Sequence, residues 1–221
     1  SVGKLHWPKS MRWGAHEQAF IRPVHWIVAL FGGEVIELTF ANATSGRSTR
    51  GHRFLAPEPF EVADEASWLE GLRAAWVEPD PEVRKATIQA GAERLAATVG
   101  GVAQIDDKLL TEVSGLAEWP NPGLGAFEER FLEVPDCVLT TSMKSHQKYF
   151  PVTDQDGALM PHFVVVMEGE STAPEVVLQG NARVLRARLA DAAFFFEQDK
   201  KRDLEHFVSK LEERRFLEGL G

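Results

Sequence analysis

Apolar residues at helical spacing define the longest element that the sequence predicts, between residues 180 and 200. Four of them recur at intervals of three or four and share one helix face: Leu185, Leu189, Ala192 and Phe196. The three consecutive phenylalanines 194–196 cannot all lie on that face, because successive helical residues are about 100° apart. We expect the helix to pack back on the preceding domain with at least one of Phe194, Phe195 and Phe196 largely buried.

Two pairs of β-rich runs flank turn sequences and predict hairpins. Residues 27–31 and 35–40 lie on either side of Gly32-Gly33, and residues 149–152 and 161–167 lie on either side of Asp-Gln-Asp-Gly. The run 163–167 is continuously apolar, which favours a central strand.

Helical patterns fill most of the remaining chain. They cover residues 61–77, with Asp64 as the N-cap, then 81–99, 106–117 and a proline-initiated helix within 131–149. The pattern predicts an α+β domain over residues 1–170. An all-α segment over residues 171–221 follows, helical to about Leu217.

The composition is that of an ordinary globular protein, with 44% hydrophobic and 26% charged residues. No apolar run approaches the roughly 20 residues of a membrane helix, and the N-terminus lacks the apolar core of a signal peptide, so we expect no membrane contact and a cytoplasmic location. The missing initial Met and the final Glu-Gly-Leu-Gly suggest a fragment. We expect the single Cys137 to be a buried thiol; it excludes an internal disulfide.

The net charge of −9 restricts nucleic-acid binding to local basic patches, because phosphate neutralisation drives such binding. The candidate polar contacts are Lys144, Gln147, Lys148, Arg183, Arg186, Arg188, Arg50 and Arg53. Tyr149 is the candidate stacking ring. The arginine-rich stretch 45–54 predicts a loop that faces an anion or a simple turn between strands. The arginines of 183–188 also suit a solvated helix face.

No residue pattern predicts catalysis or metal binding. The seven histidines are scattered, and neither a metal-binding HExxH nor a nucleotide P-loop occurs. Ser142 and His146 lie four residues apart, but such pairs are common by chance on helices.

Several motifs resemble the β subunit of bacterial glycyl-tRNA synthetase, in the family's order and across nearly the whole chain. They are MRWG (11–14), FIRPVHW (20–26), RGHRF (50–54), EWP (118–120), SMKSHQKYFPV (142–152) and GNARVLRARLADAAFFFEQDKK (180–201).

The resemblance implies a class II glycine–tRNA ligase with an α2β2 assembly. In that assembly the α subunit holds ATP, Mg and glycine, and the β subunit binds tRNA(Gly). It also implies that residues 1–170 are similar to the B3/B4 editing domain of phenylalanyl-tRNA synthetase, and that residues 171–221 begin an HD-like helical domain. His206 is not followed by Asp, so no HD metal pair is assigned to it.

Three functions remain open at this point. The first is a non-catalytic segment that binds tRNA, the second is an editing hydrolase, and the third is a structural module that joins subunits. Glycine is the smallest amino acid, so a pocket that selects it already excludes bulkier ones, which argues against size-based editing.

Overall fold

A computed structural model describes residues 5–212 as a mixture of helices and strands, which confirms the α+β class. The chain divides into two compact units. Unit 1 contains the described residues up to 84 together with 115–119, and unit 2 contains residues 85–114 and those from 120 onwards. The predicted domain boundary after residue 170 falls inside unit 2 and stays a prediction.

The described part of unit 1 is built from short strands, one complete helix and the first turn of a second. The strands and the complete helix are β1 (Ile27–Val28), β2 (Leu30–Phe31), β3 (Glu34–Val35), β4 (Thr39–Phe40), β5 (Ala43–Gly46), β6 (Ser48–Arg50), β7 (Pro59–Glu61) and α1 (Glu65–Ala74). Strand β5 pairs with β1 in parallel and with β4 in antiparallel orientation, while β2–β3 and β6–β7 form antiparallel pairs.

Two sequence predictions for unit 1 have clear outcomes. Gly32 and Gly33 have φ values of 53° and 87° and connect β2 to β3, which confirms the first hairpin. The stretch 45–54 is not one loop, because β5 and β6 occupy its first half. Only its second half forms a turn.

Helix α1 begins with the predicted cap. The Asp64 carboxylate accepts a hydrogen bond from the Ser67 backbone N–H at 2.8 Å, and the Ser67 hydroxyl accepts one from the Asp64 N–H at 2.9 Å. This reciprocal pair satisfies two N–H groups that have no partner within the helix. The helix is shorter than predicted because residues 59–61 belong to β7.

A four-stranded antiparallel sheet organises unit 2. Its strands are β8 (Val102–Ala103), β9 (Pro120–Ala126), β10 (Phe150–Thr153) and β11 (Leu159–Glu168), in the order β8-β10-β11-β9. The β10–β11 hairpin and the central position of β11 confirm the prediction. The sequence pattern does not predict strand β9, since its prolines indicate a helix stop. The strand tolerates them because it lies at the sheet edge, where fewer N–H groups are needed.

The remaining elements are helical. They are α2 (Pro81–Ala97), which begins in unit 1, and, in unit 2, α3 (Asp107–Ser114), a 3-10 turn (Glu129–Glu133), α4 (Asp136–Thr141), a π-helical turn (Ser142–Gln147), α5 (Pro174–Asp199) and α6 (Glu205–Glu212). The proline-initiated helix predicted within 131–149 is confirmed, because α4 begins directly after Pro135 and continues into the π-helical turn as far as Gln147. The 3-10 turn before it is a separate element. The predicted C-terminal helical region is interrupted between α5 and α6, and its end near Leu217 lies outside the described residues.

Side chains cover both faces of the unit 2 sheet. On one face, Leu185 and Leu189 of α5 are fully buried in a cluster that contains Phe163. On the other, Ile88 of α2 packs in a cluster that contains Val164. Because neighbouring residues of β11 point to opposite faces, the strand is buried on both sides.

The packing of α5 confirms that the arginine/phenylalanine helix folds back on the α+β core. Phe196 is partly buried against the cluster that contains Leu185 and Leu189. Phe194 and Phe195 remain 59% and 62% exposed. The prediction that Cys137 is buried is wrong, because its side chain is exposed at the start of α4. Between residues 5 and 212, no helix has the length and apolar character needed to cross a membrane.

Candidate nucleic-acid interface

A cleft of about 620 Å³ opens on unit 1 where two sequence motifs meet. FIRPVHW contributes His25 and Trp26, and RGHRF contributes Arg50 and Arg53. The full lining is His25, Trp26, Ser48, Thr49, Arg50, Gly51, Arg53, Pro57 and Pro59. We call this site the unit 1 cleft. The sequence pattern predicts its two arginines as binding residues but neither aromatic ring.

The RGHRF segment (residues 50–54) is shaped by close packing and by His52. An ideal Cβ on Gly51 would lie 2.2 Å from the Ala75 Cβ, so only glycine lets the backbone approach this closely. The His52 N–H donates to the Ala75 carbonyl at 2.8 Å. The His52 ring is buried, and its Nδ1 accepts hydrogen bonds from the backbone N–H groups of Phe54 and Leu55, each at 3.2 Å. This buried histidine therefore fixes a turn on which Arg53 and Phe54 are exposed.

Trp26 presents an open indole to the unit 1 cleft. Its Nε1–H donates to the hydroxyl of buried Thr49 at 3.2 Å, which satisfies the only polar atom of the ring. The side chain is nevertheless 46% exposed. The His25 ring lies alongside, with 6.4 Å between the centroids and 35° between the planes. Thr49 thus holds the indole in place while part of its apolar surface stays in solvent.

The arginines of the unit 1 cleft keep their charge available. Arg50 Nη1 donates to the Pro57 carbonyl at 2.8 Å, which orients the guanidinium without neutralising it. Among the described residues, no carboxylate forms an ion pair with Arg50 or Arg53. Two unpaired guanidinium groups beside an exposed indole suit a ligand with both a negative charge and a flat ring.

The predicted cations of unit 2 are in a different state, because three of them are paired with acids. Lys144 Nζ lies 3.2 Å from Asp106 Oδ2, Lys148 Nζ 2.8 Å from Glu112 Oε1, and Arg186 Nε 2.8 Å from Glu128 Oε1. Arg183 and Arg188 are exposed, and within residues 5–212 neither has an ion-pair partner. Of the predicted unit 2 cations, these two are the better candidates for phosphate contacts.

Asp106 has a structural role besides its pairing with Lys144. Its Oδ1 accepts a hydrogen bond from the Leu109 N–H at 2.9 Å, which caps the first turn of α3. That hydrogen bond, followed by the interaction with Lys144, lowers the pKa of the Asp106 carboxyl below its ordinary value. The Lys144–Asp106 pair therefore connects the π-helical turn to the start of α3.

The prediction that Tyr149 is a stacking ring for nucleic acid is wrong. The ring is 4% exposed and is stacked on Phe163 at 4.8 Å between centroids. Its hydroxyl donates to Asn181 Oδ1 of α5 at 2.7 Å, and burial raises the pKa of the phenol. Tyr149 therefore ties α5 to the sheet. Gln147 is partly exposed at the end of the π-helical turn, and Lys148 beyond it has a left-handed φ of 60°.

The three phenylalanines of α5 lie in two different environments. Phe194 and Phe195 meet edge to face at 5.5 Å on the outer side of the helix. Lys200 lies 5.1 Å from the Phe196 ring centre and also pairs with Glu197 at 3.1 Å.

Over the described part of the chain, His, Cys, Asp and Glu side chains form no group of three or more that could hold a metal ion.

Comparisons with known proteins identify a family. The family model described as glycyl-tRNA synthetase beta subunit matches residues 1–221. Three similar proteins, each named glycine–tRNA ligase beta subunit, come from Bacillus subtilis (47% identical over 220 residues), Geobacter metallireducens (48% over 220) and Shewanella sediminis (49% over 222). Each match covers 100% of this chain and 32% of the relative, so the chain spans about a third of these proteins.

Proposed function

The chain belongs to the glycyl-tRNA synthetase beta subunit family, and from this premise we propose that it is a non-catalytic, tRNA-binding part of a glycine–tRNA ligase. In this proposal the segment helps to position tRNA(Gly), while a partner α subunit in an α2β2 assembly uses ATP, Mg and glycine. The names of the relatives, which are subunits of a tRNA ligase, support a role in that reaction. A cytoplasmic location is part of the same proposal.

The observation that carries the tRNA-binding role is the composition of the unit 1 cleft. The unpaired Arg50 and Arg53 lie beside the exposed indole of Trp26. Guanidinium groups bind phosphate through two parallel hydrogen bonds, and aromatic side chains stack on nucleic-acid bases. The net charge of −9 disfavours nucleic-acid binding outside local basic patches, so we expect patch-limited and salt-sensitive binding.

We also propose that residues 1–170 are a B3/B4-like module and that residues 171–221 begin an HD-like helical domain. The mixture of sheets and helices before residue 170, and the helices α5 and α6 after it, support this assignment. An experimental structure of a complete β subunit, superimposed on a B3/B4 domain, would test it.

The test of the tRNA-binding role is the double variant Arg50→Ala/Arg53→Ala in the assembled ligase. We expect the Kd for tRNA(Gly) to rise at least about tenfold, since a hydrogen bond to a charged group contributes about 1.5–3 kcal/mol. The slope of log K against log salt should become less negative by about 0.7–0.9 for each phosphate group that the variant no longer binds. Formation of glycyl adenylate, measured by ATP–pyrophosphate exchange, should not change.

Arg94→Ala is the matched control, because Arg94 is an exposed arginine of α2 and does not line the unit 1 cleft. If the double variant binds tRNA(Gly) with the affinity and salt slope of this control, the proposed role is wrong. The exposed Phe194 and Phe195 would then favour the alternative of a subunit-joining surface. Turnover of alanyl- or seryl-tRNA in a deacylation assay would instead support the editing alternative.

A further inference from the structure

We propose that the unit 1 cleft receives an unpaired nucleotide of the RNA, with its base stacked on Trp26 and its phosphate held by Arg50 and Arg53. The inference rests on the proposed tRNA-binding function and specifies what the cleft recognises. It assigns base binding to a residue that acts through its ring surface, whereas the arginines act through charge.

The hydrogen bonding and the exposure of the Trp26 indole favour stacking of a base on its ring. Because the Nε1–H of Trp26 already donates to Thr49, the ring has no free polar group with which to read a base edge. What remains is apolar surface, and the residue is 46% exposed although tryptophan normally buries a large area. A base would cover this surface and exclude water from it. The neighbouring His25 ring, tilted by 35°, extends the platform.

The two arginines are positioned to hold the phosphate next to such a base. Arg50 is oriented by its hydrogen bond to the Pro57 carbonyl, and Arg53 lies on the turn that His52 fixes. Both line the same cleft as Trp26. An aromatic platform with adjacent cations is the arrangement that single-strand-binding proteins use, since every base has a face that can stack.

The dimensions and walls of the cleft favour an unpaired nucleotide over a duplex. Its volume of about 620 Å³ lies within the roughly 300–1,000 Å³ typical of sites for small ligands. Within a duplex the faces of the internal bases are stacked on each other and are not available to Trp26, so the protein would meet mainly phosphates and groove edges. Pro57 and Pro59 add apolar wall, which a charged backbone alone would not need.

The experiment compares Trp26→Leu and Trp26→Phe in the assembled ligase. The probes are a fluorescein-labelled, unstructured oligoribonucleotide and a blunt RNA duplex of the same length, with binding followed by anisotropy. We expect Trp26→Leu to weaken single-strand binding about tenfold or more and to leave the salt slope and duplex binding unchanged. Trp26→Phe should retain most of the affinity, which also guards against a folding defect.

Phe31→Leu is the control, because Phe31 is a 79% exposed aromatic residue of unit 1 that does not line the cleft. If Trp26→Leu binds the single strand as tightly as this control while Arg50→Ala/Arg53→Ala still weakens tRNA(Gly) binding, the stacking inference is overturned and the proposed function stands. An equal loss for the duplex and the single strand would also overturn it. If the arginine variant has no effect either, both proposals fail.

Discussion

Replacing Gly51 with alanine should disrupt the RGHRF segment and, with it, the unit 1 cleft. The new Cβ would lie 2.2 Å from the Ala75 Cβ and 2.4 Å from the Ala75 carbonyl oxygen, whereas ordinary contacts begin at 3.4 Å. The shortfall of about 1.2 Å (3.4 minus 2.2) cannot be absorbed by a flexible side chain, because both atoms are fixed to the backbone of residue 75. The backbone must therefore separate at the point where the His52 N–H donates to the Ala75 carbonyl.

The expected destabilisation is about 2–4 kcal/mol. Overpacking of a well-packed site costs about 1–3 kcal/mol, and loss of the His52–Ala75 hydrogen bond adds about 1 kcal/mol. Urea unfolding followed by tryptophan fluorescence is a suitable assay, since Trp26, Trp68 and Trp76 all lie in unit 1. Because the turn carries Arg53, the variant should also bind tRNA(Gly) more weakly in proportion to the fraction of unit 1 that loses its structure.

Gly46→Ala provides the matched control for this substitution. No atom lies within 4 Å of a Cβ built on Gly46, and its φ is not in the left-handed region. Alanine at this position should change stability by no more than about 1 kcal/mol and should stabilise slightly by restricting the unfolded chain. Equal unfolding midpoints for the two variants would refute the argument that close backbone approach requires Gly51.

Three further substitutions, one of them a control, test unit 2 by thermal unfolding. Leu189→Ala should lower the free energy of unfolding by about 2–5 kcal/mol because the side chain is fully buried. The control Val184→Ala, at a 49% exposed position of α5, should lower it by less than about 0.5 kcal/mol. Similar losses of stability for the two variants would contradict the packing of α5. Asp106→Ala should cost about 1 kcal/mol at neutral pH through loss of the α3 cap. The pKa of Asp106 is lower in the folded protein than in the unfolded chain, where it is near 3.9. The stability that the ionised carboxylate contributes is therefore fully present above the unfolded pKa and is lost as the pH falls through the folded pKa. The difference in stability between Asp106→Ala and the unsubstituted protein should accordingly shrink in acid.

Local sequence patterns predicted the elements whose stability depends on near neighbours. The Asp64 cap, the Gly32-Gly33 hairpin and the β10–β11 hairpin each rely on residues a few positions apart, and the structure contains all three. The helical spacing of Leu185 and Leu189 likewise identified the buried face of α5. The family motifs pointed to the family that the comparisons show.

The sequence predictions are wrong where a partner distant in the chain decides the environment of a residue. Strand β9 forms because it pairs with β11 along the edge of the sheet, although its prolines predict no strand. Tyr149 has the sequence context of an exposed ring, yet the ring is stacked on Phe163 and its hydroxyl donates a hydrogen bond to Asn181. Lys144 and Lys148 share a predicted helix face, and the acids that neutralise them come from the region of α3.

The sequence by itself therefore determined the family, the α+β class, the caps and turns, and the inner face of α5, because short-range hydrogen bonding and hydrophobic periodicity specify them. Only the tertiary structure decided which polar residues act together. It brought Trp26 beside Arg50 and Arg53, residues more than twenty positions away, and it paired the unit 2 cations with acids. Charge and ring exposure depend on what packs nearby in space, and a one-dimensional pattern does not contain that information.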